Sequence, residues 1–252
     1  MTSLSAETIS SPGRGAGEEL RGTTMVLTGV GRPGQLGEVV AERFARRGVH
    51  LVLVDRAAER SERLASMLQT LGVKARAFGC DLTDVDQVTD LASQVALFSE
   101  GISGLVHLAG GYVNGAPVAD LDPTLWHQLL AINLTTAFVT SRAFLPLLRT
   151  GRGAMVFFSS TAALPGAGVA NSSAYAAAKG GVITLMRAIA AEEREAGVRA
   201  NALAPLAIRT EANRLSMGED HRYVERETVA DWAWWLCTAA AGPVSGQVIR
   251  LG

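Results

Sequence analysis

The chain has 252 residues, 48% of them hydrophobic and 19% charged, with 23 basic against 24 acidic side chains and a formal net charge of −1. That length suits one large α/β domain, and the even charge balance, with no basic or acidic block, points away from nucleic acid and from an anionic membrane surface. Cys80 and Cys237 are far apart and the four histidines stand singly, so no metal site is expected.

Residues 1–22 are small and polar. They lack the apolar segment of a signal peptide and read as a flexible extension, open to ordering by a partner subunit; 23–252 read as the single catalytic domain. No apolar run reaches transmembrane length, and a cytoplasmic location is the expectation. Then apolar runs alternate with amphipathic ones. "TMVLT" (24–28) predicts a strand, 36–48 a helix closed by Gly48, "HLVLVD" (50–55) a strand, and 58–72 a helix. A strand at 74–81 and a helix at 84–98 follow, then a strand at 104–110 and a long helix at 122–148 with Pro123 in its first turn. Strands at 154–160, 198–205 and 246–251 enclose helices at 172–197 and 228–241. This alternation implies βαβ crossovers and a parallel sheet, and the continuous apolar strands imply helices on both faces.

"TGVGRPGQLG" (28–37) joins the first strand to the first helix. Glycines there let the backbone approach a pyrophosphate, and the helix start favours its charge. Asp55, ending the second strand, suits the adenosine ribose hydroxyls and repels a 2′-phosphate, which favours NAD; Arg32 and Arg56 keep NADP open. Asp81 is placed to cap the next helix or to meet the adenine amino group.

With these residues in hand, the chain resembles the short-chain dehydrogenase/reductase family from about Thr23 to Gly252. The motifs occur in family order: "TGVGRPGQLG", "CDLTD", "LAGG", "INLTTAF", "FFSS", "YAAAK" and "NALAPLAIRT". The resemblance implies a three-layer Rossmann fold, α/β, with a doubly wound sheet of seven parallel strands in a single domain. It implies reversible hydride transfer between a nicotinamide and a carbonyl or secondary alcohol. Asn133, Ser160, Tyr175 and Lys179 match the family tetrad. Thr28, Gly29, Gly31, Gly34, Leu36, Gly37, Asp55, Arg56, Asp81, Leu82, Ala109, Gly110, Pro205, Ile208 and Thr210, together with Tyr175 and Lys179, match its cofactor-binding positions. The chemistry agrees: a carbonyl taking hydride needs a proton, which a phenol can donate, and an ammonium one helical turn away lowers the phenol's pKa. Lys179 would also bind the nicotinamide ribose. Ser160 would hold the reacting oxygen, and Asn133 a water in a proton relay. Each alone has a plainer reading, Ser159 or Ser160 as a strand-end cap and Asn133 as a buried amide bonded to backbone.

Several segments depart from the family pattern. The glycine turn is about two residues longer, as in enoyl reductases, but "YAAAK" keeps the narrow Tyr–Lys spacing, so enoyl reduction is not the first choice. "HLAGG" puts His107 and Leu108 where two asparagines are usual, which removes a strand-tying amide and suggests a core histidine. Leu206 replaces a glycine after Pro205. The lid, 211–227, is short and charged, with Arg209, Arg214 and Arg222 as candidates for an acidic group or simply a solvated loop. "TEANRLSM", "LAGG" and the short lid are similar to the dihydropteridine reductase-like branch; Ser160 argues against it. A small polar ketone or a 3-oxoacyl group is the expected substrate class, and a non-catalytic NAD(P)-binding regulator is the alternative of another kind. The family implies a homotetramer or dimer built on 122–148 and 172–197. Ala176, Ala177, Ala178, Gly180 and Gly181 leave room for a second backbone, and "DWAWWL" (231–236) suits an interface or the core.

Overall fold

Period-two alternation in the first strands sets the layers. In the computed structural model, which describes residues 17–252, Met25 and Leu27 of β1 (Thr24–Thr28) face one core and Val26 the other. In β2 (His50–Asp55), Leu51 and Leu53 divide from Val52 and Val54 in the same way. The remaining strands are β3 (Ala75–Gly79), β4 (Gly104–His107), β5 (Ala154–Phe158), β6 (Arg199–Pro205), β7 (Ala207–Ile208), β8 (Tyr223–Val224) and β9 (Val248–Leu251). The helices are α1 (Leu36–Ala45), α2 (Ala58–Gln69), α3 (Val85–Ala96), α4 (Pro123–Leu130), α5 (Thr136–Gly151), α6 (Ser173–Glu192), α7 (Glu211–Met217) and α8 (Arg226–Cys237).

Seven strands form one parallel sheet in the order β3-β2-β1-β4-β5-β6-β9. Phe44 of α1, Leu68 of α2 and Trp234 of α8 cover one face, and Val95 of α3, Phe144 of α5 and Met186 of α6 cover the other. This is the three-layer, doubly wound arrangement expected. Strand order reverses between β1 and β4, which opens a crevice at their carboxyl ends.

β4 and β5 stop at His107 and Phe158, short of the predicted 110 and 160, because the chain there leaves the sheet to build that crevice. The long helix is interrupted by a π turn at Ala131–Thr135 and runs on to Gly151. Taken together, Pro123–Gly151 is long and apolar enough to cross a membrane by length and composition, against the expectation from sequence; 44% of its apolar window is buried inside this fold. The lid carries structure that its charge pattern concealed, namely α7 and a parallel β7–β8 pair.

Residues 1–16 of the expected extension lie outside the described residues. Glu18–Leu20 form a 3-10 turn with Leu20 buried, and Glu19 accepts a hydrogen bond from the Ala239 N–H at 2.7 Å, so the chain is already seated before Thr23. Of the three tryptophans in 231–236, Trp234 is core, edge-on to Phe44 at 5.1 Å, whereas Trp232 and Trp235 are half-buried and pack on each other. Gly181 faces inward, leaving no room for a Cβ beside Leu134, while Gly180 faces open space.

Candidate active site

The crevice begins at the glycine turn. Gly29 has φ +73°, and a Cβ on it would stand 2.6 Å from the Ala109 backbone nitrogen, so only glycine lets β1 turn beneath the end of β4. The Gly31 N–H donates to Asp55 Oδ2 at 3.0 Å and the Ala57 N–H to Oδ1 at 3.2 Å, which holds the carboxylate at the tip of β2. Arg32 and Arg56 are exposed beside it. Leu36 and Gly37 open α1, whose N-cap, Gln35, makes no side-chain cap bond, in contrast to α3, α4 and α7, capped by Asp84, Asp122 and Thr210. Two expected cofactor residues are otherwise engaged. The Thr28 hydroxyl lies in the core, 3.0 Å from His107 Nδ1, and Thr210 Oγ1 accepts from the Asn213 N–H. Asp81 does not cap α3, since Asp84 does; its carboxylate takes both the N–H and the hydroxyl of Thr83, which lowers its pKa. Leu82 is buried beside it, and Pro205 and Ile208 sit at the end of β6 and in β7.

The tetrad converges where β4 and β5 end. Gly110, at φ +157°, passes so close to the central helix that a Cβ would lie 2.6 Å from Asn133 Oδ1 and 3.1 Å from Lys179 Nζ. Asn133, in the π turn, receives the Gly111 N–H on Oδ1 (3.1 Å) and donates Nδ2–H to the carbonyls of Gly111 (2.9 Å) and Leu129 (3.0 Å). Both amide protons are engaged, so its side chain ties the loop after β4 to the helix. The two serines divide their work: buried Ser159 donates to the Lys179 carbonyl and fastens α6 to β5, while Ser160 opens the next turn and faces Tyr175.

Lys179 is buried and donates from Nζ to the Phe158 carbonyl at 2.8 Å; burial brings its pKa down to about 8. Its ammonium lies 5.9 Å from the centre of the Tyr175 ring. The Tyr175 hydroxyl is pushed above the usual phenol value, chiefly by burial, with Ser160 opposing and Tyr112 adding to the rise. The lowered value expected from Lys179 is not seen: loss of hydration is the largest influence, and the Lys179 ammonium is directed to Phe158. Residue spacing alone missed Tyr112. Its ring stands edge-on to Tyr175 at 5.0 Å, and its hydroxyl reaches Asn114 (3.2 Å) and Ser172 (3.4 Å). An aromatic residue directly after "LAGG" was the available signal.

His107 supplies the tie that its replacement of asparagine appeared to remove. The Thr136 hydroxyl gives its proton to Ile132 O, so it must accept from His107 Nε2–H (3.3 Å); Nδ1 then accepts from Thr28. The imidazole is fully buried and neutral, its pKa driven down to about 3 by burial and then by Lys179. Leu206 is half-buried and packs against the core beside Gly252. In the lid, Arg209 is bound to Glu225 (2.8 Å) and lies over Tyr223, and Arg214 is bound to Glu219, so both candidate anion-binding arginines are already neutralised. Arg222 is exposed. A cavity of about 430 Å³ at the opposite edge of the sheet, lined by His50, Lys74, Arg76 and Phe98 among others, contains none of these site residues.

Comparison with known proteins agrees with this geometry. The family model described as enoyl-(acyl carrier protein) reductase matches residues 29–251. The chain is 34% identical over 187 residues to 2-(S)-hydroxypropyl-CoM dehydrogenase 3 of Xanthobacter autotrophicus, covering 74% of this chain and 71% of that protein. It is 32% identical to cis-4-hydroxycyclohexanecarboxylate dehydrogenase of Sinomonas cyclohexanicum, over 93% of this chain and 97% of the other. A short-chain type dehydrogenase/reductase from Mycobacterium ulcerans superposes with a TM-score of 0.84 at 26% identity, over 92% of this chain and 88% of its own.

Proposed function

The chain belongs to the short-chain dehydrogenase/reductase family and is an NAD(P)-dependent oxidoreductase of alcohols and ketones; from that premise we propose that Tyr175, Lys179, Ser160 and Asn133 are its working residues and a small polar secondary alcohol its substrate. The observation that carries this is the convergence of the tetrad on the end of β4, with Asn133 and Lys179 closing on Gly110 and Ser160 facing Tyr175. The residues also fit a dinucleotide. Gly29 leaves a cradle that a Cβ would fill, and the first turn of α1 has no side-chain cap to compete with a phosphate. Asp55 is fixed to receive ribose hydroxyls, which favours NAD, with exposed Arg32 and Arg56 the route by which NADP would bind.

Held by the glycine turn and Lys179, a nicotinamide cofactor would supply or accept the hydride. Ser160 Oγ holds the substrate oxygen and steadies its developing charge. In the reducing direction the Tyr175 phenol gives its proton to that oxygen. Lys179 spends one of its three N–H donors on Phe158, which leaves two for the cofactor ribose and for returning a proton toward Tyr175. Asn133 acts by position, holding Gly111 and through it the loop against which the cofactor packs. The Tyr112 ring walls the substrate side of Tyr175. The narrow Tyr–Lys spacing supports alcohol chemistry over enoyl reduction, and both relatives compared are named for oxidation of hydroxylated compounds.

The chain is proposed to work as a homotetramer or dimer. The half-exposed apolar face of the central helix supports this, where Phe138 is 50% exposed, as does the open surface at Gly180. A second reading, reduction of a pteridine-like ring, has the short lid in its favour and Ser160 against it. The test is turnover of a panel of secondary alcohols and ketones with each nicotinamide cofactor, followed at the reduced-nicotinamide absorbance band. A Tyr175→Phe variant should still bind NADH and lose turnover; undiminished turnover in that variant would reject the assignment.

A further inference from the structure

Arg226 is the first residue of α8, yet its Nη1 donates to the carbonyl of Gly34 at 2.7 Å, across 192 positions of sequence. It thus fastens the lengthened glycine turn to the helix that follows the lid. On the other side of Gly34, the N–H donates to Glu38 Oε2 at 2.7 Å. A Glu211 carboxylate oxygen lies 3.2 Å from where a Cβ on Gly34 would stand. Two carboxylates and one cation therefore surround the turn, at the uncapped start of α1.

A pyrophosphate brings two negative charges to that start. Glu38 and Glu211 oppose it, so the turn needs a counter-charge from outside its own segment. The exposed Arg32 has no bond fixing it there. Arg226 does: it is half-buried, fixed by Gly34, and among the described residues pairs with no carboxylate. One of its five N–H donors is used, which leaves a fork matched to phosphate oxygens. The neighbouring Arg209 and Arg214 differ in this respect, being committed to glutamates.

We propose that Arg226 is a pyrophosphate-binding residue of the cofactor site: one N–H holds the Gly34 carbonyl and so the shape of the turn, and the others bind the phosphate oxygens. The inference rests on the dinucleotide reading given above and adds to it a residue outside the motifs that carried the resemblance.

The test is equilibrium binding, without turnover. The full chain is titrated with NADH by fluorescence, and ADP-ribose and adenosine are measured as competitors. Arg226→Ala should weaken NADH and ADP-ribose about ten- to a hundredfold, the usual worth of a charged hydrogen bond, and leave adenosine within about twofold. Arg226→Lys, which keeps a donor and a charge, should fall between. If the wild-type chain binds neither NADH nor NADPH, the dinucleotide reading fails and this proposal with it. If the wild type binds and Arg226→Ala binds equally well, or loses adenosine as strongly as ADP-ribose, this proposal alone fails.

Discussion

A half-buried arginine and a buried lysine show how differently the two ends of this fold use charge. At the junction of β6 and α8, Arg199 donates to four carbonyls, those of Leu236, Cys237, Thr238 and Ala241, at 2.7–3.3 Å. Leu236 and Cys237 carry the last carbonyls of α8, where the guanidinium takes the place of a C-cap, while the Thr238 and Ala241 carbonyls also accept from the N–H groups of Ala241 and Val244. In the crevice, Lys179 is buried more deeply, and among the described residues its ammonium makes one hydrogen bond, to Phe158. Burial without full hydrogen bonding costs stability, so the first cation is structural and the second has donors in reserve. Lys179 thus keeps donors at the carboxyl edge of the sheet, where Arg199 has used four of its five.

That contrast can be broken at either end. The largest expected effect is chemical: Tyr175→Phe should lower turnover about a hundred- to ten-thousandfold with folding and NADH binding retained, as seen by steady-state rates beside a binding titration. Lys179→Met should also cut turnover steeply, yet its melting temperature should equal or exceed that of the wild type, because a poorly solvated ammonium is removed. Arg199→Ala should do the reverse. Four carbonyls lose a donor, two of them keeping backbone partners, so stability in urea should fall by about 3 kcal/mol, and kcat of the folded fraction should be unchanged.

The smaller effects lie in pH. His107 has a folded pKa of about 3 against an ordinary 6.5, so between those values the unfolded chain takes up a proton that the folded chain refuses. Stability should therefore decline as pH falls below about 6.5, by up to ~1.4 kcal/mol per pH unit from this group, and His107→Gln should show a shallower decline in acid-unfolding curves. Lys179 acts at the other end of the scale. With about 8 folded against 10.5 ordinarily, the unfolded chain holds the extra proton in that window, so stability should rise with pH across it. The rise should vanish in Lys179→Met.

Much of the scaffold was legible in the sequence. All seven strands of the main sheet were marked in order, because apolar runs such as "TMVLT" and "HLVLVD" are short, β-branched and bounded by turns. Helix starts were legible where a capping side chain stands in the sequence, as Asp122 does before Pro123. The lid was not, because α7 has only seven residues and β7 and β8 two each, too short to show a period. Among the candidate site residues, motif order singled out Tyr175, Lys179, Ser160 and Asn133, which the fold brings to the ends of β4 and β5.

Motif order could not assign hydrogen bonds. Whether Thr28 faces a cofactor or His107, whether Asp81 or Asp84 caps α3, and whether Lys179 or burial governs Tyr175 all depend on which groups share one small volume after folding. Composition and periodicity thus determined the alternation of strands and helices, the parallel sheet and the residue types at its carboxyl edge, since these follow from local hydrophobic pattern and chain order. Tertiary structure alone decided which polar groups are spent and which are left to work. A donor's partner is set by distances of about 3 Å between segments as remote as Gly34 and Arg226, and such distances exist only once the chain has folded.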